Sequence, residues 1–216
     1  YFTKDYATRK LYDTPAYGVA FYHQSTIDDL LTRGLSLTFG IRYDYEHTSN
    51  DFLFYKETDG GSEQMDAFDS RLKFSQVTPK IALQYMFPST GMLYATVTKG
   101  YKTGGFNTSF DREEDRTFRP ETSWNYELGG HFSCMEGAVR GDFALFYIDC
   151  RDQQLTIFPE GTTTGRMMTN AGRTRSFGGE LSLQVSPWQN LDINAAYGYT
   201  NAKFVRYNDG KTDYKG

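Results

Sequence analysis

The sequence predicts an all-β chain, an antiparallel up-and-down meander of about eight strands. Three observations predict it. Apolar and polar residues alternate along five long segments, the links between segments alternate short and long, and aromatic residues are abundant, with 17 Tyr and 17 Phe in 216 residues. A period of two is that of a strand whose faces meet unlike surroundings.

Strands are expected at about 16–25, 35–47, 76–87, 92–100, 122–133, 138–151, 174–186 and 190–204. The second carries Leu35, Leu37, Phe39, Ile41 and Tyr43 on one face, with Ser36, Thr38, Gly40, Arg42 and Asp44 on the other. The third sets Ile81, Leu83, Tyr85 and Phe87 against Lys80, Ala82 and Gln84. The sixth sets Val139, Phe143, Leu145 and Tyr147 against Arg140, Asp142, Ala144 and Phe146. In the seventh, Phe177, Leu181, Leu183 and Val185 oppose Glu180, Ser182 and Gln184; in the eighth, Leu191, Ile193, Tyr197 and Tyr199 oppose Asp192, Asn194 and Thr200.

Short links fall at Pro88–Gly91, Cys134–Gly137 and Pro187–Asn190, each rich in turn-forming residues. Ile27–Gly34 has the length of one helical turn, but the long alternating run after Gly34 favours a hairpin link. Long polar stretches at about 48–75, 101–121, 152–173 and from 205 onward exceed the usual four to six residues of a loop. Two packings suit two-faced strands: a sandwich with its oily faces together, or a membrane barrel with oily faces toward lipid and polar faces toward a lumen. Long loops gathered at one end favour the barrel, whose turns are short on one side of the membrane and long on the other.

Composition excludes several classes. No run approaches the roughly 20 apolar residues of a spanning helix, and mean hydropathy is -0.61, a value that alternation produces even in barrels. A net charge of -4 gives no basic field for nucleic acid. His23, His47 and His131 show no metal-ligand spacing, so neither a metal site nor a cofactor is expected. A hairpin pairing residues near 133 and 138 sets Cys150 opposite about residue 122, away from Cys134, so no disulfide is expected. No Ser, His and Asp constellation is assembled, and no catalytic residue is assigned. The glycines at 100–105 fit a strand turning into a loop; neither the spacing nor a following helix fits a phosphate cradle.

Strand-to-loop residues Leu93–Asn107 contain Lys99-Gly100-Tyr101-Lys102-Thr103-Gly104-Gly105-Phe106-Asn107, followed by Arg119-Pro120-Glu121 and Tyr126-Glu127-Leu128-Gly129. With Gly40–Asp44, Thr78–Ala82, Thr169–Gly172 and Phe177–Leu181, these motifs stand in one order over about residues 16 to 204. They resemble the TonB-dependent receptors, plugged active transporters of bacterial outer membranes. The resemblance implies a roughly 22-stranded barrel with a plugged lumen, of which residues 1–216 would be an internal part without plug, TonB-contacting box or terminal aromatic strand.

The resemblance further implies uptake of a scarce solute, an iron–siderophore complex first and a vitamin or glycan as the alternative, energised through TonB. Implied partners are outer-membrane lipid, TonB and the plug in the parent protein, and a small-molecule ligand such as an iron chelate. Tyr101, Lys102, Phe106, Asn107 and Arg112 are expected near the extracellular ligand entrance, because aromatics beside cations suit iron chelates, anions or sugars. Glu121, Glu127, Arg140, Asp142 and Glu180 are expected to face the lumen. As an excised piece, the chain is expected either to pair its sheet edges between copies or to pack its oily faces together, as a sandwich or dimer. The competing reading is a self-contained eight-stranded barrel or sandwich that binds a ligand or serves as a structural module.

Overall fold

A computed structural model describes residues 6–108, 110, 113–158, 166–208 and 213–215. The chain is almost wholly strand: β1 (Ala7–Asp13), β2 (Ala16–Ile27), β3 (Leu35–Thr58), β4 (Gly61–Phe87), β5 (Gly91–Lys102), β6 (Gly105–Phe106), β7 (Thr117–Phe118), β8 (Glu121–Cys134), β9 (Val139–Ile157), β10 (Met167–Trp188), β11 (Leu191–Asn208) and β12 (Asp213–Lys215). Ten of them form one sheet in the order β1-β3-β4-β5-β8-β9-β10-β11-β12, with β2 also on β3; β6 and β7 pair apart. Every register given is antiparallel. Because β1 and β2 both pair with β3, they form one strand interrupted at Thr14-Pro15. Proline has no N–H for the ladder, and the Pro15 carbonyl instead accepts from the Ser49 N–H at 3.0 Å.

The eight expected strands are all present, as are the short links. Gly34, at φ 85°, closes the 28–34 turn, where its N–H donates to Asp29 Oδ1 at 2.7 Å while the Ser36 hydroxyl donates to Asp28 at 2.7 Å. The hairpin reading of Ile27–Gly34 therefore holds. Three of the long stretches correct the sequence reading: β9 runs on to Ile157 and β10 starts at Met167 within 152–173, β11 runs on to Asn208 past 205, and residues 48–75 depart furthest. They are not a loop: β3 continues to Thr58 and β4 starts at Gly61. Polar strand residues kept in register by long antiparallel pairing need no apolar face along their whole length, so composition concealed them.

The chain divides into two compact units. One comprises Tyr1–Phe21 and Asp44–Gln76. Its described core is aromatic: Phe52, 7% exposed, has its ring 5.0 Å from Tyr12 and 4.7 Å from Phe68. Tyr12 and Phe52 are direct cross-strand partners, the pairing that stabilises a sheet face.

The other unit comprises Tyr22–Tyr43 and Val77–Gly216. Its registers align residues into rows across β4, β5, β8, β9, β10 and β11, and the rows alternate between two faces. One face carries Phe87, Gly91, Phe132, Gly141, Leu183 and Ala195 in a row. Next come Tyr85, Leu93, Gly130, Phe143, Leu181 and Tyr197, then Leu83, Ala95, Leu128, Leu145, Gly179 and Tyr199, then Ile81, Val97, Tyr126, Tyr147, Phe177 and Asn201. Below them Cys134, Val139, Val185 and Ile193 add a fifth row. Leu83, Leu128, Leu145 and Tyr199 are all exposed. Five rows at about 6.7 Å spacing span about 27 Å along the strands; a tilt of about 40° projects this to about 20 Å, most of a ~25 Å apolar band. Glycines in the band receive neighbouring rings: a side chain at Gly141 would collide with Phe132.

The register pairs Ser133 with Arg140 and Ser123 with Cys150. Both cysteines are free, Cys134 exposed and Cys150 buried, as the spacing predicted.

Candidate functional site

Glu121, Glu127, Arg140, Asp142 and Glu180 all fall on the face opposite the apolar band, since each occupies the alternate position in its strand. The rows there read Thr96, Glu127, Phe146, Gly178, Thr200 and Tyr94, Gly129, Ala144, Glu180, Gly198. Of these five, Glu127 and Asp142 are tied across strands by hydroxyl and imidazole partners. The Tyr94 hydroxyl donates to Glu127 at 2.8 Å, His131 Nδ1 lies 3.3 Å from Asp142, and the Ser182 hydroxyl donates to Asp142 at 3.2 Å. Tyr94, His131, Asp142 and Glu180 line one concavity of about 400 Å³.

At the end of this unit where the long connections lie, three side-chain amides hold the 103–119 loop against β9 and β10. Asn107, 4% exposed, donates from Nδ2 to the Asp115 and Met168 carbonyls, each at 2.8 Å, and accepts the Met168 N–H at 2.7 Å. Its own N–H donates to the Arg116 carbonyl. Asn170 donates to the Arg119 and Asp152 carbonyls at 2.8 Å and accepts the Arg119 N–H at 2.6 Å. Gln154 donates to the Thr103 carbonyl at 2.7 Å and the Arg119 carbonyl at 3.1 Å, and its N–H donates to Glu121 at 2.8 Å. Backbone groups outside a ladder are costly to bury unpaired. Primary amides, with two donors and one acceptor oxygen, can satisfy several at once.

The five residues expected at the ligand entrance do not form one cluster. Tyr101 continues the face of the apolar band and Lys102 the opposite face, as successive strand residues must. Phe106 is half-buried in the β6–β7 pair. Asn107 is a staple within the loop, and Arg112 lies outside the described residues. Beside them Arg116 lies 5.4 Å from the Phe110 ring centre and 3.2 Å from Glu113. Sequence reasoning missed Gln154 and Asn170, whose partners are backbone groups 18 to 51 residues away.

It also missed a charged cluster. Directly beyond the Tyr126, Tyr147 and Phe177 row, on the same face, the registers set Lys99, Trp124, Asp149, Arg175 and Lys203 side by side. Beyond that come Tyr101, Thr122, Arg151, Arg173 and Arg206. Asp149 is 8% exposed. Arg173 binds it through both oxygens, Nε to Oδ1 at 2.7 Å and Nη2 to Oδ2 at 2.8 Å; Arg151 Nε stands at 3.4 Å and Arg175 Nε at 3.6 Å. Above the apolar band, the Arg173 guanidinium thus holds the Asp149 carboxyl below its usual range, against the opposing effect of burial. The signal was available: Arg151, Arg173 and Arg175 share strand parity with Tyr147 and Phe177.

A family model described as TonB dependent receptor-like, beta-barrel, matches residues 3–216. Pesticin receptors of Yersinia enterocolitica and Yersinia pestis are 28% identical over 169 residues, which is 76% of this chain and 23% of theirs. The chain therefore spans less than a quarter of the length of these curated relatives. Among solved structures, the ferric yersiniabactin uptake receptor FyuA of Yersinia pestis superposes with a TM-score of 0.72 at 23% identity, covering 91% of this chain and 28% of that one. The copper transporter OprC gives 0.71 at 15% identity, with 89% and 30% covered. The ferric-catecholate import receptor Fiu of E. coli K12 gives 0.64 at 18%, with 89% and 29% covered. With its meander of two-faced strands and this match along nearly its whole length, the chain belongs to the TonB-dependent receptors, a family of outer-membrane β-barrel transporters rather than enzymes.

Proposed function

We propose that this chain is part of the wall of an outer-membrane active transporter that takes up an iron–siderophore complex, energised through TonB and closed by a plug in the parent protein. The observation that carries it is the division of the sheet. Exposed apolar rows suit lipid on one face, and Tyr94, Glu127, His131, Asp142 and Glu180 give the other a hydrogen-bonding surface for a polar plug. The relatives support the cargo: FyuA takes up ferric yersiniabactin and Fiu imports ferric catecholates. OprC, a copper transporter, has a comparable wall, so the wall alone does not choose the solute; loops and plug do.

In this reading Lys102, Phe106 and Arg112 border the extracellular entrance, Asn107 sets the shape of the loop that follows Lys102, and Tyr101, on the face of the apolar band, stands outside that entrance. The test is uptake of radioactive iron by iron-starved cells with and without the complete parent gene, offered a panel of hydroxamate, catecholate and phenolate chelates. Gene-dependent and TonB-dependent uptake of one chelate class is expected. Uptake of a vitamin, glycan or free copper, with none of iron chelates, would overturn the siderophore reading. Taken alone, the chain covers itself by pairing sheet edges between copies or by packing its oily faces together; light scattering that finds a detergent-free monomer with no exposed apolar surface would refute that.

A further inference from the structure

We propose that the basic rows above the apolar band are a binding site for the phosphorylated headgroups of lipid in the leaflet at the long-loop end. This rests on the membrane orientation argued above.

Among the described residues of two adjoining rows on the lipid-side face, Arg151, Arg173, Arg175 and Lys203 stand around one acidic residue, Asp149. Asp152, next in sequence to Arg151, is held at 2.7 Å by Arg119 and does not offset them. Asp149 is nearly buried beneath its arginines, so its role is internal. The bidentate Arg173 bond fixes the centre, and Arg151 and Arg175 stand against the same carboxylate with side chains 62% and 45% exposed. One negative charge cannot neutralise three guanidiniums; a net positive surface remains, preorganised by its own carboxylate.

Its position selects the occupant. The next row toward the band is Tyr126, Tyr147 and Phe177, with Tyr126 and Tyr147 ring centres 6.1 Å apart, the aromatic border expected where hydrocarbon gives way to headgroups. A soluble anion has no need of an apolar surface below it. A lipid phosphate, whose acyl chains lie along Leu128, Leu145 and Tyr199, meets both at once. Guanidinium forks match phosphate oxygens in pairs, and cations at this level attract anionic headgroups.

The test uses the complete receptor purified in detergent. Native mass spectrometry would follow retention of bis-phosphorylated lipid A and phosphatidylglycerol against zwitterionic phosphatidylcholine, with inorganic phosphate as competitor. The variant R151Q/R175Q/K203Q leaves the Arg173–Asp149 pair in place; K80Q, on the polar face, is the control. Retention of the two anionic lipids at least about tenfold above phosphatidylcholine, whose phosphate is offset by its own choline, is expected in wild type and K80Q, and lost in the triple variant. Equal retention by wild type and triple variant, or displacement by millimolar inorganic phosphate, overturns the proposal. Insertion of all three proteins into vesicles is measured in parallel. Failure of wild type to insert refutes the membrane orientation itself, whereas insertion without lipid preference refutes only the headgroup site.

Discussion

Strand β3 serves two regions, and its two ends treat apolar side chains in opposite ways. Near its start Phe39, Ile41 and Tyr43 stand exposed, each above 40%; further along, Phe52 is 7% exposed among Tyr12, Phe54 and Phe68. The first stretch belongs to the unit with the apolar band, the second to the unit built from Tyr1–Phe21 and Asp44–Gln76. The same two-residue period thus serves two media. In the banded unit the surroundings supply the apolar phase; in the other, the protein makes its own from a few rings.

The comparison breaks most sharply at Phe52. Phe52→Ala removes the ring on which the aromatic core converges and is expected to cost about 3 kcal/mol locally. Amide exchange should rise along 7–13 and 44–76, with insertion into vesicles unchanged. Next is an arginine in the band: Leu181→Arg, in the middle one of the five rows, should lower folding stability in phospholipid vesicles by about 2–4 kcal/mol. Met65→Arg, at an exposed position of the other unit, should change stability by less than about 0.5 kcal/mol. Equal costs at the two sites would show that both units meet the same medium.

Asn107→Ala should cost about 1–3 kcal/mol by orphaning buried carbonyls and the Met168 N–H, read as faster amide exchange at Met168. Asp149→Asn is expected to cost about 1–2 kcal/mol at neutral pH through its charged hydrogen bonds. Because the folded-state carboxyl is held below its ordinary value of 3.8, that contribution is fully present above this value and fades as pH falls through the lowered folded one. The gap between wild type and variant should therefore narrow as pH falls below 3.8, and a gap that stays constant through that fall would refute the assignment. Small too is Arg9→Gln, whose partner Glu57 lies 3.8 Å away with both side chains well exposed; a change under about 1 kcal/mol is expected.

Much of this was legible from residues alone, because a two-faced strand writes its medium into its parity. Leu145 and Asp142 were assigned to opposite faces without coordinates, and so were Leu181 and Glu180. The extensions of β3 and β4 were not legible. Asp51, Lys56, Glu57, Glu63 and Asp66 give no apolar face, and what orders the stretch is pairing such as Phe52 with Tyr12, some 40 residues away. The loop staples were hidden for a related reason. An asparagine near glycines reads as a turn residue, and nothing local reveals that Asn107 reaches Met168.

The register of β10 has a last consequence, for how this chain can change length. Between Thr174 and Val185 its pairing with β11 runs without a shift; irregularities fall at Arg173/Thr174 and Val185/Trp188, and those with β9 at Asn170/Gly172 and Gly172/Arg173. All lie outside the apolar band. One inserted residue inside the band would turn Leu181 and Leu183 to the polar side and Glu180 and Ser182 toward lipid. Outside the band a bulge absorbs the extra residue. Natural variation in this wall should therefore take odd-numbered insertions and deletions at the two borders and in the loops, while the strand interior admits substitutions alone.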